Sequence, residues 1–180
     1  MAILVEQISL FTQFQSLISV IVGGVLTFLG GVYGPSLLEK SKHKRDSKSL
    51  ALAFRGELIA IRKIVNHRNY LEFLTEIINH IKTTNEPRII KINARQNYFN
   101  VYEKNVDKLG MLPNPLPELI ATFYTQAKSV LEDLETLNEG AYSSANAELM
   151  IHFYEELHSL LYQSMELIDD IVQEIETAYS

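Results

Sequence analysis

The stretch LPELIATFYTQAKSVLEDLETL, residues 116–137, decides the fold. Within it Leu116, Ile120, Phe123, Ala127, Val130, Leu134 and Leu137 alternate spacings of four and three. That is the a/d seam by which a helix packs on other helices. Asn138-Glu139-Gly140 stops the run. A second periodic run covers about Ser144–Tyr179, with Met150, Phe153, Leu157, Leu160, Leu167 or Ile168, Ile171 and Ile175 along one face. Two long amphipathic helices joined by a short polar link pair antiparallel, and the predicted fold class is an all-α bundle.

Working back toward the N-terminus, Met111–Pro117 is a turn carrying three prolines. Before it the sequence predicts a helix over roughly Ala94–Leu109, with Gly110 as a left-handed cap. Ile89-Ile90-Lys91-Ile92 reads as a short extended run. One long helix is expected from Ser49 to about Lys82, carrying Leu50, Phe54, Leu58, Ile61, Val65 and, further on, Leu74, Ile77 and Ile81 at helical spacing. Thr83-Thr84-Asn85-Glu86-Pro87 ends it, because proline cannot continue a helix and pushes the residue before it out of the α region.

The start of the chain is of another kind. From Gln7 to Leu38 there are 32 consecutive residues without Asp, Glu, Lys, Arg or His, and Lys40, Lys42, Lys44, Arg45 and Lys48 follow directly. About 20 apolar residues cross a bilayer core as a helix. A secretory signal would carry its positive charges before the apolar segment rather than after it. The expectation is one membrane-spanning helix. Basic flanks stay in the cytoplasm, which puts the N-terminus outside and the rest inside a bacterial inner membrane. The expected organisation is an N-terminal segment and span over 1–40, a basic juxtamembrane linker over 41–48 and a cytoplasmic helical bundle over 49–180. Lipid bilayer is thus the first expected partner.

Ser9, Gln13, Ser16, Val20, Gly23, Thr27, Gly30 and Gly34 form one stripe of that span. Helices in lipid associate through small residues and polar contacts, because lipid supplies no hydrophobic drive. The stripe, above all Gln13, Ser16, Gly23, Thr27, Gly30 and Gly34, is the candidate oligomerisation or pore surface, and other copies of the chain are the expected partners.

Charge separates the rest. The chain carries −6 overall, but residues 105–180 hold fourteen acidic residues against Lys108 and Lys128. Residues 55–104 carry a balance of +4 and the first 54 residues +2. The expected gradient runs from basic at an anionic leaflet to acidic at the far end. There is no cysteine, hence no disulfide framework and no thiol chemistry. No phosphate-cradling loop, nucleophile elbow or zinc spacing occurs. Glu155-Glu156-Leu157-His158 holds one Glu-x-x-His pair where a di-iron bundle needs two. Neither enzyme activity nor a metal or other cofactor is expected.

A binding site is the better candidate. Arg88, Lys91 and Arg95 stand beside Asn97, Tyr98, Phe99 and Tyr102, and cations among aromatics hold phosphates and stack bases. The competing reading is a solvated charge run with its aromatics in the core. Arg62, Lys63, His67 and Arg68 form a second basic group with the same two readings. The ligand candidates are Arg88, Lys91, Arg95, Asn97 and Tyr98.

Tyr102-Glu103-Lys104-Asn105-Val106-Asp107-Lys108-Leu109-Gly110-Met111-Leu112-Pro113, followed by Phe123-Tyr124, resembles a pattern in small bacterial proteins with one N-terminal span and a helical cytoplasmic domain. The layout also resembles membrane effectors of anti-phage defence of the Hailong type. That resemblance implies a homo-oligomer, expected as a tetramer, that forms a gated ion-conducting or membrane-disrupting assembly. It also implies control by a nucleotide or oligonucleotide that a partner nucleotidyltransferase makes. It is a likeness of architecture and transfers no ligand residue. The alternative is a membrane-anchored helical scaffold without a pore.

Overall fold

The structure is a computed structural model that describes residues 39–91 and 98–180. The chain divides into two units, Met1–Asp46 and Ser47–Ser180. The predicted span over 7–38 and its stripe lie outside the described residues. Among the described residues no helix is long and apolar enough to cross a membrane. In the first unit, residues 39–46 are helical, with Lys40, Lys42, Lys44 and Arg45 exposed.

The described residues are helical and hold no strand. The elements are α1 (residues 39–67), α2 (Tyr70–Thr84), α3 (Asn100–Asn105), a 3₁₀ helix (Val106–Met111), α4 (Leu116–Asn138) and α5 (Ala147–Tyr179). The hairpin of α4 and α5 follows the periodicity: Leu116, Ile120, Phe123, Val130, Leu134 and Leu137 are buried, Ala127 partly so. Pro117 sits in the first turn of α4, where a missing N–H costs nothing. Gly140 takes φ 87° just beyond its end, a conformation that glycine adopts freely. The Asn146 side chain caps α5 by accepting from the Leu149 N–H at 2.9 Å.

Elsewhere three expectations need correcting. The single helix over Ser49–Lys82 is two helices, broken at Arg68-Asn69, with Asn69 at φ 50°. The break comes in the polar run Asn66-His67-Arg68-Asn69, and asparagine enters the left-handed region more readily than other non-glycine residues. Asn85 does the same at φ 54° to end α2, two residues ahead of Pro87. Gly110 is no left-handed cap. It lies within the 3₁₀ helix, and among the described residues the α-helical part of this region is Asn100–Asn105. Residues 85–91, Ile89 and Ile90 included, form no strand.

Two apolar cores stack along α5. The first joins Leu50, Phe54 and Leu58 of α1 to the N-terminal half of α4 and to Ile168, Ile171 and Ile175 of α5. The second joins Leu74, Ile77 and Ile81 of α2 to the C-terminal half of α4 and to Met150, Phe153 and Leu157 of α5. Ion pairs set the direction: Arg55 pairs with Glu176 at 2.5 Å, Arg62 with Asp169, and Lys82 with Glu155 at 2.7 Å. Lys48 donates to the Tyr179 carbonyl at 2.7 Å. Together α1 and α2 thus follow α5 as one broken, antiparallel arm. This corrects the expected charge gradient: the acidic end of α5 returns to the residues where the bundle begins rather than standing far from them.

Candidate functional site

Of the predicted cation–aromatic site, Arg88, Lys91 and Tyr98 belong to the described residues. Arg88 and Lys91 are exposed on the segment after α2, where the Arg88 carbonyl accepts from the Tyr154 hydroxyl at 3.0 Å. Arg95 and Asn97 lie outside the described residues. Tyr98 is half-buried and packs against the first core, and Phe99 is buried within it. Tyr102 stacks on Tyr124 with ring centroids 4.0 Å apart. The aromatics therefore serve the core. In the second basic group Arg62 pairs with Asp169 and Arg68 donates one bond to the Tyr70 hydroxyl at 2.7 Å, while Lys63 and His67 are exposed. Glu155 of the Glu-x-x-His pair faces Lys82. Among the described residues no three His, Asp or Glu side chains come close enough together to hold a metal ion.

Two further features stand out among the described residues, and no local sequence pattern marks either. The first is a half-buried carboxylate at the edge of the first core. Glu57 sits on the apolar stripe of α1, three positions after Phe54 and four before Ile61. Its Oε1 accepts the Val101 N–H at 2.7 Å and its Oε2 accepts the Tyr102 N–H at 3.3 Å and the Tyr124 hydroxyl. The first turn of α3 has no side-chain cap of its own, so Glu57 supplies one from another helix. Tyr124 is fully buried, with Phe99 edge-on at 5.3 Å and Phe123 at 5.0 Å. Loss of water around its hydroxyl, with the facing Glu57 carboxylate, drives its pKa far above the usual phenol range.

The second feature is a partly open cavity of about 110 Å³ beside the α1–α2 break. Its walls come from both cores: Ile61 and Val65 before the break, Leu74 after it, Val130 and Leu134 of α4, and Met165 of α5. Tyr70 and Tyr98 border it. Its one hydroxyl-bearing wall residue besides these is Ser164, whose Oγ donates to the Leu160 carbonyl at 2.7 Å and lies 3.4 Å from Gln126 Oε1. An apolar guest would cover the apolar wall surface that this opening leaves to water, at ~25 cal/mol per Å².

Compared with family models, curated proteins and solved structures, the chain matches none.

Proposed function

We propose that the chain is a single-pass membrane protein that works as a homo-oligomer, with the helical bundle of Ser47–Ser180 as a non-enzymatic sensing module on the cytoplasmic side. The observation that carries this reading is the uncharged stretch from Gln7 to Leu38, followed at once by exposed Lys40, Lys42, Lys44 and Arg45. In its full form the protein is an effector of bacterial anti-phage defence. A nucleotide or oligonucleotide bound to the cytoplasmic unit controls an assembly, expected to be tetrameric, whose stripe of Gln13, Ser16, Gly23, Thr27, Gly30 and Gly34 conducts ions or disrupts the membrane. Four copies would multiply the weak anion affinity of Arg88 and Lys91 in each.

The test follows membrane potential with a voltage-sensitive dye in bacteria that express the full chain or a Gly23→Leu, Gly30→Leu variant. Depolarisation by the parent chain and none by the variant is the expected result. Equal depolarisation by both sinks the pore. A second reading, the anchored scaffold, gains from one observation: Arg55, Arg62 and Lys82, cations that could face a polyanion, already pair with acidic residues of α5. Exchange of the span for an unrelated one would preserve activity in that case and abolish it in the first.

A further inference from the structure

The geometry points to a fatty-acid site: the cavity beside the α1–α2 break takes the chain end of a free fatty-acid anion, and Arg68, hydrogen-bonded to Tyr70 at the cavity's border, takes the carboxylate. Three features meet there: the chemistry of the walls, the size of the space and its border. The first is chemistry inside. Ser164 donates its one hydroxyl proton to the Leu160 carbonyl, with Gln126 Oε1 a longer alternative, and the remaining walls are apolar but for Tyr70 and Tyr98 at the border. A buried water needs two to four polar partners, and the inner walls offer it only the Ser164 oxygen. The space therefore suits an apolar guest.

The second is size and shape. An apolar cavity on the order of 150 Å³ takes benzene. At about 110 Å³ this one takes the last few carbons of a chain, and the rest leaves through the open side. The third is the border. Tyr70 and Tyr98 are amphipathic and half-buried there. Arg68 is exposed and stands 5.9 Å from the Tyr70 ring centroid, with one guanidinium N–H on the Tyr70 hydroxyl. A guanidinium has five N–H donors in a fork that fits a carboxylate, so this bond leaves donors for a ligand. One narrow apolar space and one cation fit one chain and one anionic head. The inference does not rest on the membrane reading, because every residue it uses belongs to the bundle.

The experiment exposes bacterial membranes holding the full chain to palmitic acid with a diazirine at its chain end, then maps the photolabel by peptide mass spectrometry. Label on the peptides that carry the cavity walls, residues 61–74, 123–134 and 157–165, removed by excess unmodified palmitate, is the expected result. Ala127→Leu puts bulk into the cavity and should cut that label about tenfold, the equivalent of ~1.4 kcal/mol. Arg68→Gln should cut it about threefold for the acid, an exposed ion pair's worth, and leave labelling by the methyl ester unchanged. Since Arg68 is exposed, this arm stands even if Ala127→Leu fails to fold. Label confined to other peptides overturns the site. Equal labelling of the cavity by a diazirine phosphatidylcholine overturns the free acid as its ligand, and so does an equal loss of acid and ester in Arg68→Gln.

Discussion

At the end of the bundle where α1 packs on α4, a half-buried carboxylate reaches the edge of the core; at the end where α2 packs on α5, the core is apolar but for the Tyr154 hydroxyl. The first core gathers Phe54, Phe99, Phe123 and Tyr102 around Tyr124 and ties them through Glu57 to the backbone of α3. The second is built of long helices whose stripes meet, and one bond from Tyr154 to the Arg88 carbonyl anchors the segment after α2. The difference follows from length. A six-residue helix cannot hold itself together, since nucleation costs more than so few hydrogen bonds return. The segment around α3 therefore needs a polar tie from outside, and helices of 15, 23 and 33 residues do not.

Removal of the tie should give the largest effect. Glu57→Ala leaves two amides and one buried hydroxyl without an acceptor and should cost about 3 kcal/mol in denaturant unfolding. Amide exchange at Val101 and Tyr102 should speed up with it. Tyr154→Phe, which loses one bond at the other end, should cost about 1 kcal/mol. Equal losses in the two variants, or unchanged exchange at Val101, would erase the contrast between the ends.

Alkaline pH sharpens the same contrast. Burial first, then the Glu57 carboxylate, holds the Tyr124 hydroxyl protonated far above the usual phenol range, while unfolded chains release that proton near the ordinary value of 10.0. Above that point the folded state binds more protons than the unfolded one, and stability falls as pH rises. Each such group contributes a slope of up to about 1.4 kcal/mol per pH unit. Tyr154 adds a loss of the same sign, since burial raises its pKa too, with the Arg88 charge opposing. Thermal unfolding followed from pH 9 to 11 should therefore fall less steeply in Tyr124→Phe than in the parent chain. Parallel curves would mean that Tyr124 is not sealed from water.

How much of this was legible in the sequence depends on reach. The stripes of α4 and α5 are local patterns, and the all-helical fold follows from them. The end of the first long helix was not legible, because Asn69 breaks it without the proline or glycine that marks such breaks. Asn69→Ala should cost about 1 kcal/mol, the strain of a side chain at positive φ, while Asn69→Gly should stay within a few tenths. Equal stability of the alanine variant would show that the helix breaks for another reason. At the candidate site the residues could be read but not their destinations. Glu57 is a charge on an apolar stripe that sequence analysis passed over, and its partners Val101 and Tyr124 lie 44 and 67 positions away. Arg62 could be read as a free cation only because Asp169 lies 107 positions away. One chain shows which face of a helix is polar, not what that face meets.

The ion pairs along α1 and α5 make the smallest and most discriminating case. Arg55 and Arg62 are seven positions apart, as are Asp169 and Glu176, so two turns of each helix present matched charges in antiparallel order. The acidic partners are more than half exposed, and exposed pairs contribute little. A double-mutant cycle with Arg62→Gln and Asp169→Asn should give a coupling of about 0.5 kcal/mol that shrinks in high salt. The same pairs then matter for direction more than for strength: a parallel α1, or one slipped by a turn, would face Arg62 with the wrong residues. A coupling that stays large in high salt would mean that charge, not the Phe54–Tyr124 core, holds α1 in place. It would also mean that a polyanion competing for Arg55 and Arg62 could release the helix.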